Sequence, residues 1–267
     1  GLLMTEWMPI PAAMPCVTAF IEHTSVGASG SDWHWSFSQR LIIAGRAIWF
    51  YIAKILWPAK LTFMYPQWNV DWRAAGGAWQ WIFPAAALIA LLALFLLRKK
   101  IGRGPLAGAL IYVGMLTPVL GFINFYPMRY SFVADHFQYL AGPALIALII
   151  AAITLLLRKL HGGRSMSDWP LPYVLACVLL LVLAVLTVMQ SGIYSDQLSL
   201  WTDTVAKNPD GWMPQDSLAL SLVAEADSLP ADLLPADRAA ERQRLVNEAA
   251  GHYARAVEIK PDYDLAL

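Results

Sequence analysis

Long apolar runs dominate the first 190 residues of this chain, and they show neither the alternation of strands nor the one-sided stripe of a soluble helix. Trp79–Leu97, "WQWIFPAAALIALLALFLL", is 19 residues without a charge. At about 1.5 Å per residue such a helix crosses a hydrocarbon core of about 30 Å. The basic triplet Arg98–Lys100 closes it. Pro105–Ile123, Phe137–Leu157 and Trp169–Met189 have the same length and character and predict three further spans. Met8–Ile21 is apolar but short and holds three prolines, which predicts a fifth span that is broken or incomplete.

Two segments depart from that pattern. Phe37–Trp57 is long enough for a helix but carries Arg40, Arg46 and Lys54, which at about 100° per residue fall within an arc of roughly 120°. Three charges are costly in lipid, so the predicted element is a helix lying in the interface or against the other spans, ended at Pro58 among tryptophans and tyrosines that favour headgroup level. Beyond Ser191 the chain turns polar with helical period. "WTDTVAKNPDGW" (Trp201–Trp212) and "YARAVEIKPDYD" (Tyr253–Asp264) align Trp201 with Tyr253, Val205 with Val257, Pro209 with Pro261 and Asp210 with Asp262, at an offset of 52. The second of these, with Ala254, Ala256, Ile259 and Pro261, resembles the second helix of a tetratricopeptide repeat and the turn after it. Against that repeat's period of about 34 residues, the extra length is expected in a two-proline insertion at 227–244. The expected fold class is therefore all-α: a polytopic helical membrane bundle of about five spans over 1–191, followed at 192–267 by the start of a tetratricopeptide α-solenoid.

Composition supports the membrane reading. The chain of 267 residues is 58% hydrophobic and 14% charged, with mean hydropathy +0.51, too apolar for an ordinary soluble domain. Its formal charge is zero, and no basic or acidic tail suggests nucleic acid as a partner. Cys16 and Cys177 lie in apolar runs without metal-type spacing. Glu22, His23, Asp32 and His34 likewise lack a ligand pattern, so no metal is expected among them. "GASGSDW" (Gly27–Trp33) has no phosphate-loop pattern. Because Arg98, Lys99, Lys100 and Arg103 crowd one connection and Arg158, Lys159 and Arg164 another, both are expected in the cytoplasm. The 22–78 and 124–136 segments and the repeats then face outward, into the periplasm of a bacterial inner membrane or an organelle lumen.

Candidate chemistry concentrates in "NFYPMRYSFVADHFQYLAG" (Asn124–Gly142). A helix starting near Ala134 would put Asp135, Gln138 and Tyr139 on one face at the membrane surface, with Arg129 across the loop. Two readings are open: a salt bridge between Arg129 and Asp135 that serves only structure, or a site. The basic face of 37–57 is equally open between an interfacial anchor and a surface for a lipid-linked phosphate, which Arg and Lys bind through charge-assisted hydrogen bonds. His252, in the repeat-like helix, reads as an ordinary surface or groove residue.

"RAIWFYIAKILWPAKLTFMYPQW", "RYSFVADHFQYLAG" and the repeat-like segment, in that order, resemble bacterial relatives of the transmembrane and tetratricopeptide-repeat O-mannosyltransferases, which have the C-type membrane glycosyltransferase fold. The resemblance implies transfer of a sugar such as mannose from a polyprenyl-phosphate donor to a protein or glycan acceptor on the outer side; no covalently bound cofactor is expected, and a metal requirement is left open. It implies that the acidic catalytic residue lies in a first outer loop, which this chain is expected to lack as a fragment of a longer protein that is inactive alone. Asp135 and His136, standing where eukaryotic members carry something closer to Glu-Arg, would be auxiliary. Arg129, Tyr139, Arg46, Arg40 and Lys54 would bind substrate, membrane lipids would surround the spans, and the repeats would hold an acceptor peptide. Two other readings stand beside it: an O-antigen-ligase-like or polymerase-like envelope enzyme, and a non-catalytic membrane tether for a repeat scaffold.

Overall fold

The computed structural model describes residues 33–160, 171–229 and 236–262. All regular structure among them is helical. The predicted first span at 8–21 lies outside them. The described chain forms two compact units, one from 33–59 with 67–160 and the other from 60–66 with the residues after 170.

In the first unit, α1 (Phe37–Leu56) opens with a capping box in which the Ser36 hydroxyl accepts from the Gln39 amide while the Gln39 side chain accepts from the Ser36 amide. It ends just before Pro58, whose ring disfavours helix at the preceding residue. Residues 58–76 run without regular helix to a short 3-10 turn, Gly77–Trp81, which leads into α2 (Ile82–Ile101). Next come α3 (Gly104–Leu116), entered through Pro105 in its first turn, and α4 (Gly142–Leu160).

Two glycines set the packing. A Cβ on Gly45 would strike the backbone and ring of Pro84, so α1 and α2 touch where α1 has no side chain to intervene. A Cβ on Gly108 would lie 2.7 Å from Leu148 Cδ2, so α3 and α4 are as closely fitted. Trp49 donates its indole N–H to the Phe83 carbonyl at 3.0 Å, and the Tyr112 hydroxyl donates to the Ile48 carbonyl at 2.9 Å. These bonds bring the N-terminal end of α2 and α3 to the middle of α1.

Among the described residues, three helical stretches are long and apolar enough to cross a membrane: Gly77–Ile101, Gly142–Lys159 and Pro172–Tyr194. Leu88, Ile89, Leu92 and Leu96 of α2 are exposed in the protein, which is what a lipid-facing helix requires. Gly104–Val119 is apolar but shorter. The predicted span at 105–123 therefore stops early, because Thr117–Val119 tightens into a 3-10 turn around Pro118. The span predicted from Phe137 begins five residues later, at Gly142, because Asp135–Gln138 forms a separate 3-10 turn.

In the second unit, α5 (Leu171–Ser191) matches the last predicted span. It is followed by α6 (Gln197–Lys207), capped by Asp196 accepting from the Ser199 amide at 2.7 Å, then by α7 (Trp212–Ser228) and α8 (Ala236–Ile259). Helices α7 and α8 are antiparallel, because Arg242 bonds Asp227, His252 bonds Gln215 and Arg255 bonds Asp210. Leu218, Ala219, Leu222 and Ala226 of α7 bury against Leu245 and Ala249 of α8, with Trp201, Val205 and Tyr253 packed alongside. Of the 227–244 stretch expected as an insertion, 230–235 is outside the described residues. Ala236–Arg244 forms the first turns of α8, so that part of the added length is helix. The segment 60–66 packs in this unit, where Asn208 and Lys207 donate to the carbonyls of Met64 and Leu61 and Phe63 stacks edge-on against Trp201.

Candidate functional site

The core of the first unit is aromatic and lies at the end where α2 begins, α3 ends and α4 begins. Trp33, Ile42, Ile43, Val70, Phe125, Met128 and Phe132 are buried together, with Trp35, Trp68, Trp72, Trp81, Tyr126 and Phe137 packed around them. The 120–141 segment supplies much of this cluster, which is why a loop between two apolar helices holds so many rings. Its carbonyls are partly satisfied by cations and indoles from α1 and its approach, among them Trp33 Nε1 donating to Phe125 O at 3.1 Å.

Arg40 anchors that loop. Its guanidinium donates to the carbonyls of Trp33, Trp35 and Gly121 and to Asn124 Oδ1, the last at 2.6 Å. Arg46 faces a different neighbourhood. It donates to Asn69 O and Gln80 Oε1 and lies 4.5 Å from the centre of the Trp68 ring. Burial lowers both guanidinium pKa values from the usual arginine range, yet arginine stays charged. Neither has a carboxylate within ion-pair distance among the described residues. Lys54 donates to Ala59 O at 2.6 Å near the end of α1. Fourteen residues of helix separate Arg40 from Lys54, about 21 Å of rise. The predicted basic stripe is therefore three separate stations, and no single phosphate can touch all of them.

Arg129 occupies the most concentrated part of the site. It ends the 3-10 turn Tyr126–Arg129, and its guanidinium carbon lies 5.6 Å from the centre of the Trp33 ring and 5.4 Å from those of Tyr126 and Tyr130. Such cation–π contacts hold the guanidinium in place. Arg129 also donates to the Tyr126 hydroxyl at 3.3 Å. Tyr130 donates to the same oxygen and, with Arg129, lowers the Tyr126 pKa. Trp33 joins Arg129 to Arg40, because its ring faces one and its carbonyl accepts from the other.

Asp135 opens the turn Asp135–Gln138 and is half-buried, whereas His136 and Tyr139 are exposed, Tyr139 at 72%. Of the expected shared face of Asp135, Gln138 and Tyr139, the 3-10 turn keeps Asp135 and Gln138, three residues apart, on one side and turns Tyr139 about 120° away. The Tyr51 hydroxyl, raised in pKa by burial and further by the Asp135 carboxylate, accepts from the Ala134 amide at 3.3 Å. Two buried polar atoms in this region, Trp35 Nε1 and Gln138 Oε1, have no hydrogen-bond partner among the described residues. Buried polar atoms are normally paired, so a donor and an acceptor stand open here.

Sequence reasoning missed Asn124, Gln80 and Tyr51, whose roles depend on contacts across 30 to 90 residues. The density of tryptophan between 33 and 81 was the available signal. No group of three His, Cys, Asp or Glu able to hold a metal occurs among the described residues. Comparison with protein-family models, with curated proteins and with solved structures finds no match for this chain.

Proposed function

We propose that this chain is part of a membrane glycosyltransferase that moves a sugar, such as mannose, from a polyprenyl-phosphate carrier to a protein or glycan acceptor at the outer face of a bacterial inner membrane. The observation that carries this reading is Arg129, a cation held among Trp33, Tyr126 and Tyr130 at the ends of apolar helices. A carrier phosphate needs positive charge at the membrane boundary while its tail stays in lipid. Arg129 stabilises the charge that develops on the leaving phosphate as the glycosidic bond breaks. Trp35 Nε1 is suited to donate to a sugar hydroxyl or to a carrier phosphate oxygen, and Gln138 Oε1 to accept from a sugar hydroxyl.

Arg40 and Arg46 have a different part in this reading. Both are committed to carbonyl and amide oxygens, so they shape the pocket and add to its field rather than grip the donor. Asp135 and His136 are auxiliary and orient the acceptor or the carrier. Lipids surround about five spans, and the α7–α8 hairpin belongs to a tetratricopeptide array that presents an acceptor peptide in its groove.

The test is sugar transfer from a synthetic polyprenyl-phosphate mannose to acceptor protein by the full-length enzyme in proteoliposomes. Arg129→Ala is expected to lower the rate by about a hundredfold, the scale of losing one charge-stabilising donor, with helix content unchanged. An unchanged rate contradicts the assignment. The commitment of Arg40 and Arg46 to internal oxygens also favours a second reading, a non-catalytic tether for the repeats, under which charge removal changes stability alone.

A further inference from the structure

The opposite end of the same helices carries a second feature that the donor reading does not use. Arg98 and Lys99, in the last turn of α2, and Arg103, just before α3, line a cleft of about 730 Å³ with Leu106, Ala107 and Leu110 of α3. The polar wall is entirely basic and the remaining wall entirely apolar. Arg98 is half-buried with its guanidinium 3.7 Å from the centre of the Phe95 ring, which fixes the charge at the mouth of the cleft.

Among the described residues no ion pair compensates this charge. No Asp or Glu occurs between Asp71 and Asp135, or between Asp135 and Asp168. Asp135 belongs to the other end, beyond α3. Gly108 packs against Leu148 of α4, a helix that itself ends in Arg158 and Lys159. None of Arg98, Lys99 and Arg103 is in a salt bridge among the described residues.

The geometry points to a binding site for one anionic phospholipid, with the headgroup phosphate held by Arg98, Lys99 and Arg103 and an acyl chain lying along Leu106 and Leu110. A diester phosphate accepts from guanidinium and ammonium groups. Because α2 is long enough to cross a membrane, the cleft stands at headgroup depth. The apolar wall gives a lipid what a free phosphate has no use for, and this decides between the two sources of the same anion.

Native mass spectrometry of the full chain, released from bilayers of equal phosphatidylglycerol and phosphatidylcholine, tests this. The wild type is expected to retain phosphatidylglycerol about a hundredfold over phosphatidylcholine, and R98Q/K99Q/R103Q close to equally, since each of the three cations near an anionic surface is worth a factor of about five. R242Q, in the helical hairpin of the other unit, should keep the wild-type ratio. Equal retention by the wild type, or an unchanged ratio in the triple variant, overturns the proposal. Inorganic phosphate added as a competitor at about 20 mM, where screening over the site is still partial, should leave the lipid bound; complete displacement by it would make the site a free-phosphate site and overturn the lipid. If the triple variant fails to fold, the single variant R103Q, in the connection outside both helices, is read in its place with an expected loss of about fivefold, and no loss there overturns the proposal.

Discussion

Arg40 Nη2 donates to Asn124 Oδ1 at 2.6 Å, joining α1 to the loop after α3 across 84 residues of chain. The same guanidinium holds three carbonyls, so one side chain fixes the entry to α1 and the turn at Gly121 together. Hydrogen bonds to charged groups are worth about 1.5–3 kcal/mol each, and stranded acceptors add to the loss. Arg40→Ala is expected to destabilise the protein by about 3 kcal/mol and Asn124→Ala by about 1.5 kcal/mol. Arg40→Lys should recover little, because an ammonium lacks the planar fork. Thermal unfolding in detergent, followed by circular dichroism, measures all three.

Tyr51 gives a pH dependence with a definite sign. Its phenol is buried and raised above the ordinary value of 10.0, first by burial. The folded protein therefore keeps the proton where the unfolded chain releases it. Stability from this group is complete below pH 10 and falls as pH rises above it. Tyr51→Phe is expected to flatten that alkaline decline, at a cost near neutrality of about 1 kcal/mol for the stranded Ala134 amide. Melting temperatures at pH 8, 9.5 and 10.5 provide the comparison.

Gly45 tests the contact between α1 and α2. Any Cβ there meets the Pro84 backbone, which cannot rotate away. Gly45→Ala is expected to cost about 1–3 kcal/mol through overpacking, although alanine favours helix intrinsically. Denaturant titration that showed stabilisation instead would place α2 farther from α1.

In the helical hairpin, the apolar seam and the surface ions should separate cleanly. Leu222→Ala, at a residue 4% exposed in the α7–α8 seam, is expected to cost about 2–4 kcal/mol. Asp210→Ala breaks the exposed pair with Arg255 and should change stability by less than about 0.5 kcal/mol. Thermal melts monitored by tryptophan fluorescence distinguish the two.

Much of the architecture was legible because charge-free runs of about 20 residues have few physical outcomes. α2 and α5 lie where hydropathy put them, and α1 follows from the Ser36 and Pro58 signals at its two ends. The starts and stops at Leu116 and Gly142 were not legible. They depend on 3-10 turns whose residues, such as Pro118 and Asp135, fit a helical first turn as well as a separate turn. The basic stripe of α1 was visible by angle, but its use was not. Periodicity gives direction around a helix and says nothing of the carbonyls that Gly121 and Asn69 bring to it. Likewise, Arg129 was conspicuous as a charge, whereas its three rings include Trp33, nearly a hundred residues earlier.

The most direct measurement of the central claim is binding of a polyprenyl-phosphate sugar to the full-length protein in nanodiscs, with wild type beside Arg129→Ala and Asp135→Asn. The account predicts saturable binding by the wild type, weakened by about tenfold or more in Arg129→Ala and by less in Asp135→Asn, with all three proteins folded. Folded protein that binds no donor in any variant would contradict the account and leave a membrane tether for the repeats.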